Sequence, residues 1–225
     1  MSNRATEIST NLQVIRDRVA SAAEGAGRDP KEITLIAVTK TFPVTDVKIL
    51  YELGVRDFGE NRDQEGSVKF SELPGDCNWH FQGQIQSNKL KSIAIWADVI
   101  HSIDDISHAK KLSSLVAAKD IFVQVSLDNQ DNLPGRGGVN PEQLLEFLGE
   151  VRALANLKVR GLMAVAPLDE PPLAAFKRLK TLSETVIKTD PNTWEISAGM
   201  SNDFEAAISQ GATHIRIGSQ ILGVR

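Results

Sequence analysis

Apolar positions along the chain follow first one helical pattern and then an alternation of strand and helix patterns. Residues 5–24 place Ile8, Leu12, Ile15 and Val19 at helical spacing, and two glycines then end the predicted helix. After this helix, eight apolar or β-branched runs predict strands: "ITLIAVT", "VRDFG", "NWHFQG", "ADVIHSI", "IFVQVSL", "KVRGLMAV", "TWEISA" and "HIRIG". Seven helical segments separate them: "VTDVKILYELG", "NRDQEGSVKFSEL", "SNKLKSIAIW", "DDISHAKKLSSLVAAK", "PEQLLEFLGEVRALAN", "PPLAAFKRLKTLSETVIK" and "SNDFEAAISQG".

This alternation predicts an α/β fold with parallel strands and right-handed crossovers. Eight units favour a closed (β/α)8 TIM barrel formed by residues 1–225 as a single domain, with an open doubly wound sheet as the alternative. Only "SQILGVR" follows the last strand, so we expect the N-terminal helix to cover the place of a full eighth helix. The glycine-rich loop "DNQDNLPGRGGVNP" after strand five is expected to be mobile and close to the functional site.

Composition narrows the class of protein. The formal net charge is -4 and no basic cluster is present, which argues against nucleic acid as the main partner. The single cysteine, Cys77, excludes an intrachain disulfide and fits the reducing cytosol, where we expect an inert thiol. The N-terminus lacks the apolar region of a signal peptide, and no stretch is long and apolar enough to span a bilayer.

In a barrel of this type the residues at the C-terminal ends of the strands form the active face. The first strand ends at Lys40, and the second ends at "GEN", which contains Asn61. His80 lies near the end of strand three and Met163 near the end of strand six. We expect these side chains to face a shared site. His80 and His101 fit hydrogen-bonded barrel histidines better than metal ligands, and no metal-binding spacing is present.

The turns after strands seven and eight predict a phosphate site. Strand seven runs through Ser197 into "SAGMSND", where Met200 and Ser201 follow a glycine and Ser201 is expected to be the N-cap of the next helix. Gly218 and Ser219 open a short helix directly after strand eight. Helix N-termini offer free N–H groups, and barrels often bind phosphate at these two loops.

Arg216 and Lys40 extend this prediction to a particular ligand. Arg216 shares a strand face with Gly218, so its guanidinium can reach the ring of a ligand whose phosphate is anchored there. In a partly dry barrel mouth the pKa of Lys40 would fall and its amine would become nucleophilic. An amine facing a phosphate-anchored aldehyde forms a Schiff base, and pyridoxal 5'-phosphate (PLP) carries the aldehyde, the phosphate and the aromatic ring.

Several segments resemble one known family. They are "AVTKT", "FGENRDQE", "WHFQGQIQSNK", "HSID", "GLMAVAP" and "SAGMSNDFEAAISQGATHIRIGSQILG", which together run from about Ile33 to Gly223. In this order they closely resemble the PLP homeostasis proteins, also called PLP-binding proteins. The resemblance implies a barrel similar to the N-terminal domain of alanine racemase, a role in vitamin B6 homeostasis, and PLP held as a Schiff base on Lys40.

The resemblance also implies roles for other residues. Ser201 and the backbone N–H groups of Gly218 and Ser219 would hold the phosphate, Arg216 would lie near the pyridine nitrogen, and Asn61 would lie beside the cofactor. Together with the strand-end positions, the predicted cofactor contacts are Lys40, Asn61, His80, Met163, Ser197, Met200, Ser201, Arg216, Gly218 and Ser219. Three positions depart from the family pattern: Arg62 replaces an aromatic residue, Arg136 stands where the loop commonly has a lysine, and Leu222 replaces a phenylalanine.

The predicted site favours binding and delivery of PLP over catalysis. Guanidinium stays charged and does not protonate the pyridine nitrogen, so the ring is a weaker electron sink. Racemisation also needs a second acid–base group, which the racemase takes from a C-terminal β domain, whereas the only tyrosine here, Tyr51, lies in the first crossover helix. We expect a monomeric carrier with little or no turnover, with PLP-dependent apoenzymes as possible recipients. The alternatives are a racemase of low activity and an aldolase-type barrel in which Lys40 attacks a sugar phosphate.

Overall fold

Eight parallel strands close into a barrel in the computed structural model, which describes residues 3–128 and 137–224. In chain order the strands are β1 (Thr34–Val38), β2 (Asp57–Glu60), β3 (Asn78–Phe81), β4 (Val99–Ile103), β5 (Lys119–Gln124), β6 (Leu157–Met163), β7 (Glu195–Ser197) and β8 (His214–Ile217). Each strand pairs with the next, and β8 returns to β1 with Ile36 opposite Arg216. The predicted closed barrel is therefore confirmed, and the open sheet is wrong.

Helices surround the barrel on its outer side. They are α1 (Asn3–Gly25), α2 (Val44–Glu52), α3 (Asp63–Glu72), α4 (Leu90–Trp96), α5 (Ile106–Leu115), α6 (Leu144–Arg152), α7 (Pro172–Thr189), α8 (Phe204–Ser209) and α9 (Ser219–Leu222). Short 3-10 segments precede β1 at Pro30–Glu32 and α6 at Pro141–Gln143. No helix among the described residues combines the length and the apolar composition that crossing a membrane requires.

The N-terminal helix α1 covers the barrel beside β8, as predicted. Its buried stripe contains Ile8, Leu12 and Ile15, which recur at helical spacing. The helix packs against α8 and α9. Asn11 Nδ2 donates a hydrogen bond to the carbonyl oxygen of Ile221 over 3.1 Å. This long helix therefore takes the position of an eighth crossover helix, because α9 is only a single turn.

The helix that follows β7 begins later than the sequence pattern predicts. We expected Ser201 as its N-cap, but α8 begins at Phe204 and residues 201–203 form a turn. The turn closes because the Met200 N–H donates to the Asp203 carboxylate over 2.5 Å, and the Phe204 N–H donates to the Met200 carbonyl over 3.0 Å. The Ser201 hydroxyl is consequently not used as a helix cap, and it faces the cavity described below.

Candidate functional site

A cavity of about 600 Å³ opens at the C-terminal ends of the strands. This volume lies within the range of about 300–1,000 Å³ that is usual for small-molecule sites. Its walls bring together eight of the ten residues that the sequence predicts as cofactor contacts: Lys40, Asn61, Met163, Met200, Ser201, Arg216, Gly218 and Ser219. The barrel thus places a strand-one lysine and the final two turns of the fold around one space.

The turns after β7 and β8 touch each other on the wall of this cavity. The Ser219 hydroxyl donates to the Ser201 hydroxyl over 3.1 Å. Gly218 allows the close approach, since a Cβ atom there would lie 2.9 Å from the Val38 carbonyl oxygen at the end of β1. Gly199 has φ +94, a conformation that favours glycine, and it turns the chain from β7 toward Ser201. The two turns form a cradle of small side chains and backbone that suits a phosphate group.

Arg216 reaches the cavity from the barrel interior, where only 5 % of it is exposed. One guanidinium nitrogen donates to Ser197 Oγ over 2.8 Å, and another donates to the Ala164 carbonyl over 3.0 Å. Burial lowers its pKa to about 10, so the group remains a cation at neutral pH. Within the described residues no carboxylate forms an ion pair with it. A buried, unpaired cation at a cavity wall is complementary to an anionic or electron-rich ligand.

Two predicted contact residues, His80 and Ser197, do not line the cavity. They belong to a buried chain of hydrogen bonds that begins at Arg216. Ser197 Oγ lies 2.8 Å from His101 Nδ1, and His101 Nε2 lies 2.9 Å from His80 Nδ1. His80 Nε2 lies 3.1 Å from an Asp57 carboxylate oxygen at the opposite end of the barrel. In this structure both residues lie deeper than the cavity wall and form part of the hydrogen-bonded support of Arg216, and their contact with a cofactor stays a prediction.

The Asp57 carboxylate at one end of this chain can only accept hydrogen bonds. It accepts from His80 Nε2, and with a neutral His80 ring His80 Nδ1 accepts from His101 Nε2 and His101 Nδ1 accepts from the Ser197 hydroxyl. Burial lowers the pKa of His101 well below 6.5, which keeps the ring neutral as this pattern requires. The pKa of Asp57 is also lowered: burial acts to raise it, but the bond from His80 and the other interactions outweigh that effect.

Lys40 lies two residues beyond the end of β1 and is an exposed residue on the cavity wall. The partly dry surroundings that the sequence analysis expected for its amine are therefore not found. The preceding residue is hydrogen-bonded to the neighbouring strand, because the Thr39 amide donates to the Gly59 carbonyl over 3.0 Å. The exposed position of Lys40 leaves its side chain open both to the cavity and to solvent.

Gln82 is a cavity residue that the strand-end pattern did not identify. Its amide nitrogen Nε2 is a buried atom without a hydrogen-bond partner among the described residues, and its side chain lines the cavity. Gln82 lies two positions beyond His80, so strand alternation placed it on the inward face and could have identified it. The segment after β6 was also missed and adds an apolar rim that contains Pro167 and Leu168.

Two of the three departures from the family pattern can be placed in the structure. Arg62 is largely exposed, and its Nη1 donates to Glu65 Oε1 over 3.1 Å. Leu222 is buried, and its carbonyl accepts from Arg4 Nη2 over 2.8 Å. Arg136 and most of the glycine-rich loop after β5 lie outside the described residues. Neither Arg62 nor Leu222 lines the cavity.

The metal-binding side chains, the Cys77 thiol and the Tyr51 hydroxyl complete the set of candidate groups. In the part of the chain that the structure describes, no cluster of three histidine, cysteine, aspartate or glutamate side chains is placed to hold a metal ion. Cys77 is buried, and burial raises the pKa of its thiol, which disfavours the reactive thiolate. The tyrosine hydroxyl of Tyr51 donates to Asp76 over 3.0 Å and lies away from the cavity.

Residues 10–225 match the family described as alanine racemase, N-terminal domain, so the chain belongs to the barrels of the alanine racemase type. A Mycobacterium tuberculosis protein named pyridoxal phosphate homeostasis protein is 38% identical over 244 residues, covering 99% of this chain and 95% of its own. Its Escherichia coli K12 counterpart of the same name is 36% identical over 230 residues, with 97% of each chain covered. The chain therefore belongs to the pyridoxal phosphate homeostasis protein family.

Solved structures agree with this assignment. PipY of Synechococcus elongatus PCC7942, solved with PLP bound, superposes with a TM-score of 0.82 at 32% identity and covers 96% of this chain and 100% of its own. A protein of unknown function from Bifidobacterium adolescentis reaches a TM-score of 0.91 at 27% identity, with 98% and 96% covered. Alanine racemase from Corynebacterium glutamicum shares the fold alone, with a TM-score of 0.68 at 16% identity over 98% of this chain and 61% of the racemase.

Proposed function

We propose that this protein binds PLP at the C-terminal face of the barrel and takes part in vitamin B6 homeostasis. The observation that carries the proposal is the single cavity lined both by Lys40 and by the turns that contain Ser201 and Ser219. Family membership and the PLP-bound relative support the same ligand.

The residues present fit the cofactor group by group. The hydroxyls of Ser201 and Ser219, which lie 3.1 Å apart, and the backbone at Gly218 would bind the phosphate. The buried guanidinium of Arg216 would face the ring nitrogen as a fixed cation. Gln82 Nε2, a buried donor without a protein partner among the described residues, would donate to a ring substituent. Asn61 and Met163 would contact the ring from neighbouring walls.

When bound, the cofactor supplies an aldehyde that condenses with a primary amine, forming a carbon–nitrogen double bond and releasing one water molecule. Lys40 offers that amine from the rim of the cavity. Its exposed position lets solvent and other amines reach the same place, which suits a protein that takes up and releases its ligand. The apolar rim of Pro167 and Leu168 borders this opening.

The side chains around the cavity favour little or no turnover. The carboxylates that line it are Glu170 and Asp203. Glu170 is bound by both terminal nitrogens of Arg178, and that hydrogen bonding lowers its pKa. Asp203 accepts the Met200 N–H. Among the described lining residues no histidine, cysteine or tyrosine is present to act as a second base opposite Lys40. We propose a monomeric carrier in the cytosol that delivers PLP to apoenzymes.

The direct test is to incubate the protein with PLP, reduce it with borohydride and locate the phosphopyridoxyl group by mass spectrometry. We expect the group on Lys40, and we expect K40A to lose both the adduct and the visible absorbance. K48A is the matched control, because Lys48 is an exposed lysine on α2 that pairs with Glu72 at 2.9 Å. An adduct spread over surface lysines, or none on Lys40, would refute the proposal.

A second test separates a carrier from a racemase. The loaded protein is incubated with L-alanine in deuterated water, and exchange at Cα is followed by NMR together with optical rotation. We expect exchange no faster than that caused by free PLP. Rapid exchange with loss of optical activity would instead assign the protein to the enzymes.

A further inference from the structure

A buried ionic cluster contacts Thr39, the residue that precedes Lys40. It is formed by Glu60 at the end of β2 and by Lys69 of α3, which are 0 % and 4 % exposed. The Lys69 ammonium donates to Glu60 Oε1 over 2.6 Å and to the Thr39 carbonyl over 2.7 Å. The Thr39 hydroxyl donates to the same Glu60 oxygen over 2.5 Å. The residue immediately before Lys40 is therefore anchored through both its carbonyl and its side chain.

The residue immediately after Lys40 is held by the same helix. Thr41 has φ +67, a conformation that is strained for a β-branched residue. Its amide donates to Glu65 Oε2 over 2.6 Å, and this carboxylate oxygen also lies 3.7 Å from the Lys69 ammonium. The pKa of Glu65 is lowered: burial acts to raise it, but the Thr41 amide and the nearby cations outweigh burial. An ionised carboxylate thus holds the strained turn.

We propose that Glu65 is a positioning residue for Lys40: it fixes the backbone after Lys40, while Lys69 anchors the residue before it, so that the amine points across the cavity. The inference rests on the proposed function of Lys40. Strained backbone persists only where surrounding contacts over-determine it, and here those contacts converge on the two neighbours of one exposed lysine. Replacing a buried ion pair by apolar residues is often neutral or stabilising, so stability alone is a weak explanation of this cluster.

The test compares two events at the same cavity. Formation of the covalent adduct requires Lys40 to be correctly directed, whereas binding of pyridoxine 5'-phosphate, which lacks an aldehyde, requires only the cradle and the ring contacts. We expect E65A to form the borohydride-trapped adduct about tenfold more slowly, since it loses the contact that holds a strained residue. Its affinity for pyridoxine 5'-phosphate should stay within about twofold of the original protein. E65Q retains an acceptor oxygen and should remain close to the unmodified rate.

Thr41→Gly tests independently whether backbone strain at residue 41 causes the slower adduct formation. Glycine adopts φ +67 without strain, so the double variant E65A/T41G should regain most of the lost rate. Amide hydrogen exchange of residue 41 in the PLP-free protein should be faster in E65A. E72A is the matched control on the same helix, because Glu72 is exposed and pairs only with Lys48 in the described contacts. It should leave both measurements unchanged.

Each outcome decides between the two proposals. If the unmodified protein forms no adduct on Lys40, the proposed function fails. If it forms the adduct and E65A forms it equally fast, the positioning role alone is wrong. If E65A loses affinity for pyridoxine 5'-phosphate in the same proportion as its rate, or if T41G gives no recovery, Glu65 supports the whole cavity and the inference is overturned.

Discussion

Lowering the pH from 7.5 to 5.0 should destabilise the PLP-free protein through His214. This residue is buried inside the barrel, where its Nδ1 lies 2.9 Å from the Thr213 hydroxyl. Burial is the largest cause that lowers its pKa, from 6.5 to about 3. In the pH window between these values the unfolded chain takes up a proton that the folded chain does not. The free energy of unfolding therefore falls as the pH drops below 6.5 and stops falling near pH 3.

The loss of stability at pH 5.0 depends on the pKa of the histidine in the unfolded chain and only weakly on its pKa in the folded protein. An unfolded histidine with a pKa near 6.5 is stabilised by about 2 kcal/mol through protonation at pH 5.0, and by less than about 0.1 kcal/mol at pH 7.5. The folded histidine is uncharged at both pH values. His214 alone should thus remove about 2 kcal/mol, and His101, whose pKa is lowered for the same reason, should add to the total.

The assay is urea unfolding of the unmodified protein and H214N at both pH values. Asparagine keeps a polar atom near Thr213 but cannot take up a proton. H214N should be less stable at pH 7.5, because a buried ring is lost, yet its further loss on going to pH 5.0 should be smaller by about 2 kcal/mol. Equal pH dependence in the two proteins, within about 0.5 kcal/mol, would refute the assignment of His214 as a buried neutral histidine.

Three further substitutions test the hydrogen bonds below the cavity, the turn after β8 and the packing of α1 against the barrel. S197A should lower the free energy of unfolding by about 1–3 kcal/mol in urea titrations, because it leaves buried donors and acceptors without a partner. G218A should weaken pyridoxine 5'-phosphate binding about tenfold by calorimetry, since its Cβ would lie 2.9 Å from a β1 carbonyl, while G149A in α6, with open space around its Cβ, should not. I15A should lower the free energy of unfolding by about 2–5 kcal/mol because Ile15 lies on the buried face of α1. V14A, on the exposed face of the same helix, should lower it by less than about 0.5 kcal/mol. Equal effects within either pair, or no effect of S197A, would contradict the corresponding argument.

The sequence predicted the elements well because periodicity reports local burial. β1 and α1 were found from their apolar spacing alone, and closure followed from the number of units. The N-cap of α8 was predicted two residues too early, at Ser201 instead of Asp203, because Ser201 has the chemistry of an N-cap but the Asp203 carboxylate closes the turn on the Met200 amide. When two neighbouring residues can both cap a helix, tertiary packing decides which one does, and a single sequence does not show that packing.

The residues that line the cavity could also be predicted only in part from the sequence. Strand alternation and the turn residues identified Lys40 and Ser201, whose positions depend on local chemistry. They did not separate His80, which lies below Arg216, from Gln82, which lines the cavity two residues later. Both face the barrel interior, and only the depth at which each layer of side chains lies tells them apart. The cluster of Glu60 and Lys69 was also missed, because a charge nine residues away along the chain gives no sign of burial.

The pairing of β1 with β8 has a consequence for when the site exists. Lys40 comes from the first strand, and the cradle comes from the last two turns, so no shorter stretch of polypeptide contains both halves. A nascent chain would therefore carry its lysine until β8 and the turn after it had been synthesised before the vitamin could be bound. The ligand would then stabilise only the closed barrel, because it contacts residues on both sides of the β1–β8 pairing. Partly folded chains would not bind the reactive aldehyde.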